Sequence, residues 1–275
     1  MKRFLLFALL IILTIAGAPG PLGTFREITV PTDDWHKVPA LLHVPQGNAK
    51  EKYPLIICFH GRSIAGHDIS KLYREGIPRQ IREGRKIQAV NKDDGKLYKF
   101  IVLAPLAESW GINPSQLEFI LNDVVKKYPV DTSRIYLTGY SAGGWCTLMS
   151  MTESKRLTSR IAAAVPMSPP PMYPENYSRF KLVSDAGLHA WYFAGSAEPQ
   201  FLENSLRCID STNHYQKGLV KLTRHEKAHT GWHEFYDPAY RDSTDNLNIY
   251  EWMLQFKRVP APVQRHKGSY SKVSR

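Results

Sequence analysis

The chain has 275 residues, of which 43% are hydrophobic, and its formal net charge is +11. This size suits one large α/β domain with a substantial core, since no linker divides it into two smaller domains. Three widely spaced cysteines argue against a disulfide framework. The positive charge comes without a recognised nucleic-acid-binding module, so we expect no nucleic-acid partner.

The first residues have the pattern of a secretory signal. Lys2 and Arg3 precede an apolar run over residues 4–16, and small residues follow at 16–18. The run is short for a membrane span, although an uncleaved anchor is the alternative. We therefore predict a signal peptide over residues 1–20, a secreted or periplasmic protein, and no stable membrane span.

Apolar runs then alternate with helical patterns along the chain. Continuous apolar runs fit strands buried on both faces of a parallel sheet, and the intervening helices would cover those faces. Strands are predicted at residues 38–44, 53–59, 100–106, 135–138, 161–165, 189–194 and 219–223; helices are predicted at 69–83 with a kink or break at Pro78, and at 114–128, 142–151, 200–214 and 245–257. The pattern predicts a single α/β domain over residues 24–258, followed by a flexible basic tail over 259–275 that is solvated or attracted to anionic surfaces.

Residues 139–143 read Gly-Tyr-Ser-Ala-Gly, with Ser141 at the centre. A predicted strand precedes them and a predicted helix follows, which is the context of a nucleophile elbow. Small neighbours let the strand and helix pass closely while the turn exposes the serine. The motif predicts that Ser141 is a catalytic nucleophile.

A serine needs a base to take its proton, and in elbow enzymes an acid and then a histidine follow the serine along the chain. Glu198 follows the strand at 189–194, at the edge of the sheet where catalytic groups gather, and is the predicted acid. An ordinary surface glutamate at a helix start is the other interpretation. Asp185 and Asp210 are reserve candidates, but one precedes the strand and the other lies within a helix.

Three histidines follow the last predicted strand. His229 is far enough along the chain to fold back over the serine and is the predicted base. His225 and His233 are expected either at the surface or behind the residues that contact the serine. His225 and His229 also complete an H-E-x-x-H pattern, which binds zinc only on a helix. Here it follows a strand at once and Gly231 interrupts it, so we predict no metal site.

The oxygen of a tetrahedral intermediate needs two aimed N–H donors. The predicted donors are the backbone amides of Ala142, directly after the nucleophile, and of Arg62, in the loop after the strand at 53–59. Trp110 and Trp232 are predicted to line the substrate cleft, since aromatic side chains suit a sugar or phenolic group; packing within the core is the alternative for both.

Several of these segments together resemble a known family. His60-Gly61 after YPLIICF, the phrase from Asp131 through Ser141 to Gly144, and His229-Thr-Gly-Trp232 resemble the secreted α/β-hydrolase esterases over about residues 35–257. That group includes feruloyl and acetyl-xylan esterases, polyhydroxybutyrate-depolymerase-like enzymes and prolyl-oligopeptidase-like hydrolases. The chain departs from the family pattern at Ala228, where glycine is usual, and at Glu198, where aspartate is usual.

The resemblance implies an α/β-hydrolase fold and a serine hydrolase that cleaves carboxylic esters through a Ser-His-acid triad, without a cofactor. The substrate would be a small-molecule or polymeric ester, such as an acyl or phenolic ester of a carbohydrate or a polyester. A peptidase of the same fold and a catalytically inactive binding protein on this scaffold remain alternatives.

Overall fold

The computed structural model describes residues 24–47 and 51–258. The predicted signal peptide and basic tail lie outside the described residues. The strands are β1 (Arg26–Pro31), β2 (Lys37–His43), β3 (Tyr53–Phe59), β4 (Gln88–Val90), β5 (Leu97–Lys99), β6 (Ile101–Pro105), β7 (Val130–Tyr140), β8 (Ala163–Met167), β9 (His189–Gly195) and β10 (Val220–His225).

Eight of these strands form one sheet in the order β1-β2-β6-β3-β7-β8-β9-β10. The pairs from β6 to β10 are parallel, and β1 and β2 add an antiparallel edge. The predicted strands all have counterparts in this sheet. Strand β1, which is partly exposed, and the short separate hairpin of β4 and β5 were not predicted, because neither contains a continuous apolar run.

The helices are α1 (Gly76–Arg82), α2 (Pro114–Lys127), α3 (Ala142–Thr152), α4 (Lys155–Thr158), α5 (Phe180–Asp185), α6 (Pro199–Tyr215) and α7 (Ile249–Leu254), and 3-10 turns span Arg62–Ile64, Ile69–Arg74, Pro174–Arg179 and Trp232–Glu234. Alternate residues of each central strand face opposite layers: Leu55 and Ile57 pack with α2, α3, α5 and α6, and Ile56 packs with α1 and α7. The predicted two-sided covering of a mostly parallel sheet is therefore confirmed.

Two predicted helices have different bounds. The helix predicted at 69–83 is a 3-10 turn followed by α1, and the break falls at Gly76, whose φ of +69° suits glycine, rather than at Pro78. Pro78 lies in the first turn of α1, where its missing N–H costs nothing. The closing helix predicted at 245–257 begins only at Ile249, because Asn248 and Glu251 form a capping box there.

All three cysteines are buried free thiols in the core, as the sequence predicts for Cys58 and Cys146. Burial raises the pKa of these two thiols to about 12, so they stay protonated and unreactive near neutral pH. Within residues 24–47 and 51–258, no helix is both long and apolar enough to cross a membrane.

Candidate active site

Ser141 lies at the sharp turn between β7 and α3. Its backbone has φ 55° and ψ −122°, a conformation that non-glycine residues rarely adopt, and its N–H donates to the carbonyl of Met167 on β8 at 2.9 Å. Such strain persists only where the surroundings enforce it, and it is concentrated at functional sites. The strand, turn and helix expected around the G-x-S-x-G motif are all present.

The glycine at position 143 allows α3 to approach the sheet. A Cβ at Gly143 would collide with the carbonyl oxygen of Phe59 and would lie 2.8 Å from that of His60. Both obstacles are backbone atoms of the segment that leaves β3, so neither has a side chain that could rotate away. The close packing that exposes Ser141 therefore depends on the absence of a side chain here.

We expect Gly143→Ala to lower the free energy of unfolding by about 3 kcal/mol, since overpacking against backbone forces a shift of the helix. The melting temperature would fall by roughly 6–12 °C. Gly84→Ala is the control, because φ is +84° there but open space surrounds the missing Cβ, so only about 1 kcal/mol of backbone strain is expected. An equal loss in thermal melts of the two variants would contradict the collision argument.

His229 contacts the serine hydroxyl. The loop after β10 carries the histidine back over the elbow, and its Nε2 lies 2.8 Å from Ser141 Oγ. Its Nδ1 lies 2.5 Å from Glu198 Oε2. A carboxylate only accepts hydrogen bonds, so Nδ1 carries the proton and Nε2 is left free to accept the proton of Ser141.

Glu198 lies between the carboxyl end of β9 and the first residue of α6 and is only 4% exposed. Burial alone would raise its pKa, but hydrogen bonds from His229, Ser168 and the backbone N–H of Gly195 together hold the pKa below its ordinary value. The group is therefore an anion near neutral pH. It has the position and charge that fix the tautomer of His229 and stabilise an imidazolium.

Ser168 and Trp232 extend this network behind the carboxylate. Ser168 follows β8 with φ 43°, and its buried hydroxyl donates to Glu198 Oε1 while accepting from Trp232 Nε1 at 3.2 Å. Trp232 also stacks on Tyr140, with ring centroids 4.9 Å apart, and its ring contacts the His229 imidazole at 4.7 Å. Ser168 was missed in the sequence; its position at the end of a central parallel strand is the signal that could have indicated it.

The competing acids lie away from this network. Asp185 is exposed and pairs with Lys181 at 2.7 Å, and Asp210 is exposed on α6. Neither is hydrogen-bonded to His229 in the structure, where the Nδ1 position is taken by Glu198.

The other two histidines have separate surroundings. His225 ends β10, and its buried Nε2 is 3.9 Å from Glu198 Oε1, beyond hydrogen-bond distance. His233 lies on a 3-10 turn with Nδ1 3.4 Å from Glu75. Since His225 is on a strand and His229 on a loop, the H-E-x-x-H pattern lacks the helix that zinc binding requires. Among residues 24–47 and 51–258, no three potential metal-binding side chains cluster.

The two predicted oxyanion donors are each the first residue of a helical turn. Ala142 begins α3 and Arg62 begins the 3-10 turn Arg62–Ile64, so neither backbone N–H has an acceptor within its own helix. Gly61, directly before Arg62, lies against the nucleophile, because a Cβ there would be 3.5 Å from the Ser141 Cβ. The structure therefore places Ala142 and the loop that carries Arg62 beside the nucleophile, and the binding of an oxyanion by their amides stays a prediction.

His60 holds the loop that carries the second amide. Its Nδ1 donates to the Gly61 carbonyl at 2.9 Å and its Nε2 accepts from the Ala107 N–H at 2.9 Å. Burial lowers the pKa of His60, so the ring is neutral and this tautomer is fixed. The Gly61 carbonyl and the Arg62 N–H belong to one planar trans peptide, and fixing one aims the other in the opposite direction.

We expect His60→Leu to lower the kcat of a reaction at Ser141 by about 10–100-fold with little change in KM, since loss of an oxyanion donor costs about 10²–10³ and this variant only misaligns one. His60→Asn keeps a donor for the Gly61 carbonyl and should retain more activity than His60→Leu. The exposed His67→Ala is the control. Unchanged kcat in a folded His60→Leu protein would refute the positioning role.

The two tryptophans differ in their placement. Trp110 is 38% exposed and lines an open cavity of about 480 Å³ with Arg62, Ala65, Glu108 and Ser109. The Arg62 guanidinium lies over the Trp110 ring at 5.8 Å. Trp232 is only 7% exposed and packs behind the imidazole, so its position fits the alternative of packing better than substrate contact.

Solved structures with the same architecture include two esterases and a peptidase. A thermostable esterase matches with a TM-score of 0.62 at 22% identity, over 86% of this chain and 64% of the esterase. The acylaminoacyl peptidase of Pyrococcus horikoshii gives 0.57 at 13% identity, over 84% and 44%. A feruloyl esterase module from Clostridium thermocellum, complexed with sinapinate, gives 0.55 at 16% identity, over 80% and 88%.

These similarities show the fold. No protein-family model matches the chain, and no curated protein matches it by sequence. The chain spans less than two thirds of the length of the first two structures, but most of the feruloyl esterase module. The predicted α/β-hydrolase fold is therefore confirmed.

Proposed function

We propose that the chain is a secreted serine hydrolase that cleaves carboxylic esters. The observation that carries the proposal is the continuous hydrogen-bonded path from Glu198 through His229 to Ser141, with contacts of 2.5 Å and 2.8 Å. These residues follow β7, β9 and β10 at the carboxyl ends of the parallel strands, where α/β sheets hold catalytic groups. These contacts, from Ser141 to His229 to Glu198, support a Ser-His-acid triad.

The reaction begins when Ser141 Oγ attacks the ester carbonyl and His229 Nε2 takes its proton. The backbone amides of Ala142 and Arg62 bind the oxyanion that forms, while Glu198 stabilises the imidazolium. His229 then gives its proton to the leaving alcohol, and an acyl-enzyme remains on Ser141. Water, activated by the same imidazole, attacks this ester and releases the acid.

The cavity lined by Arg62 and Trp110 supports an ester with a sugar or phenolic group. It is open to solvent, and its exposed Trp110 ring, with polar side chains from Arg62, Glu108 and Ser109, offers one flat apolar face and several hydrogen-bonding groups. Such a mixture suits a carbohydrate or phenolic ring. Secretion is part of the proposal and rests on the pattern of the first 20 residues; the mass of the mature protein recovered from the medium tests it.

A peptidase of the same fold is the second candidate function. One of the structurally similar proteins is an acylaminoacyl peptidase, although the chain covers only 44% of it at 13% identity. Hydrolysis of a p-nitrophenyl ester alone does not separate the two activities, because serine peptidases also cleave activated esters. The comparison of an aryl ester with an acyl-amino-acid p-nitroanilide separates them, and we expect the ester to be strongly preferred.

The direct experiment is labelling of the purified full chain with a fluorophosphonate probe, followed by mapping of the modified peptide. We expect one adduct, on Ser141, and turnover of p-nitrophenyl acetate that EDTA does not change. Loss of turnover on chelation would favour the zinc alternative. A folded chain that is neither labelled nor active would refute the serine hydrolase and favour a binding protein on this scaffold.

A further inference from the structure

Phe201 lies flat against the imidazole of His229. The two ring centroids are 4.0 Å apart and the ring planes differ by 17°. Trp232 meets the same imidazole nearly at a right angle, at 85°. The histidine side chain is 31% exposed, so the aromatic contacts cover a substantial part of it. The imidazole of His229 is thus held by hydrogen bonds at its edge and by aromatic contacts with Phe201 and Trp232.

The position of Phe201 follows from that of Glu198. Glu198 directly precedes α6 and Phe201 lies in its first turn, where the Phe201 N–H donates to the Glu198 carbonyl at 3.0 Å. The turn that places the carboxylate against the edge of the imidazole therefore also places the phenyl ring against its face. The two contacts are built on one rigid element, which is how precise sites are supported.

The hydrogen bonds alone leave one motion of the imidazole free. Bonds at Nδ1 and Nε2 fix the two nitrogens, but the ring can still rock about the line that joins them. Rocking moves the lone pair of Nε2 out of line with Ser141 Oγ, which weakens proton transfer. A parallel ring in contact with the imidazole face restricts this rotation.

The same contact favours the charged form of the ring. Aromatic faces carry negative charge in their quadrupole, so a cation over the face is attracted to it. When His229 takes the proton of Ser141, positive charge spreads over the imidazole and comes to lie above Phe201. This attraction is stronger in the transition state than in the resting enzyme, which is the condition for acceleration.

We propose that Phe201 is a positioning residue that holds the plane of the His229 imidazole and stabilises its protonated form during the reaction. The inference rests on the proposed hydrolase function. It concerns the orientation and charge of the base, so it predicts an effect on kcat rather than on KM.

The test compares Phe201→Leu, which keeps apolar volume but removes the aromatic face, with Phe201→Tyr, which keeps the face. We expect Phe201→Leu to lower kcat for p-nitrophenyl acetate by about 10-fold with KM changed less than 2-fold, and Phe201→Tyr to stay within about 2-fold of the wild type. Phe201→Met serves if the leucine variant does not fold. Leu206→Ala, at a half-buried position on the same helix, is the control and should retain kcat.

A spectroscopic readout tests the stacking itself. The phenyl ring current should shift the ring C–H protons of His229 upfield in NMR spectra, and Phe201→Leu should remove that shift; His229→Ala assigns the signals. Equal kcat in the wild type and Phe201→Leu, or unchanged His229 proton shifts, would overturn the inference. If the wild type is neither labelled by a fluorophosphonate nor active, the proposed function fails first and the inference with it.

Discussion

Ser141→Ala should reduce turnover of p-nitrophenyl acetate by about 10⁴-fold or more and abolish fluorophosphonate labelling. In the proposed mechanism Ser141 Oγ forms the acyl-enzyme, and the methyl group of alanine cannot replace it. The residual rate would come from the oxyanion donors and substrate binding alone. Because the strained turn is enforced by β7, α3 and the bond to Met167, the variant should fold and melt close to the wild type.

Ser150→Ala is the matched control, since it removes a buried serine hydroxyl from the same helix α3 without touching the elbow. It should keep wild-type turnover and labelling. A Ser141→Ala protein that retains more than a hundredth of the wild-type rate would show that another group is the nucleophile. Equal losses in the two variants would instead indicate that damage to α3, rather than loss of the hydroxyl, causes the effect.

The central sheet and the order of the site residues could be predicted from the sequence because both depend on local patterns. Apolar runs such as Tyr53–Phe59 identify strands buried on both faces, and that strand has the predicted bounds. The chain order of nucleophile, acid and base then selected Glu198 and His229 from several acidic residues and histidines. The structure places Glu198 against His229 and His229 against Ser141, and their roles as acid and base belong to the proposed function.

The remaining parts of the site depend on tertiary contacts that no local pattern encodes. Ser168 has a positive φ although serine has no preference for it, because the segment leaving β8 must turn toward the carboxylate. The tautomer of His60 is set by the backbone carbonyl of Gly61 and the backbone N–H of Ala107, and no sequence motif marks either group. Short helices such as α4 and α5 were missed because a single apolar face of one or two turns gives too weak a periodic signal.

The second large effect is expected for Glu198→Gln, which should lower kcat by about 10³–10⁴-fold. The reason is the direction of the hydrogen bonds at the carboxylate. Trp232 can only donate to Ser168, so Ser168 donates to Glu198 Oε1, and the Gly195 N–H donates to the same oxygen at 2.8 Å. A glutamine must therefore place its oxygen there and its NH₂ group toward His229.

That orientation forces the wrong tautomer on the imidazole. An NH₂ group donates to His229 Nδ1, so Nδ1 must accept and the ring proton moves to Nε2. Nε2 then faces Ser141 Oγ with a proton already attached and can no longer take the proton of the serine. Glu203→Gln, an exposed change on the same helix, is the control and should keep kcat. Glu198→Asp keeps the charge but shortens the reach to His229, so its kcat should lie between those of the wild type and Glu198→Gln. If Glu198→Gln instead stays within 10-fold of the wild type in steady-state assays, the carboxylate does not set the tautomer, and the acid must be sought elsewhere.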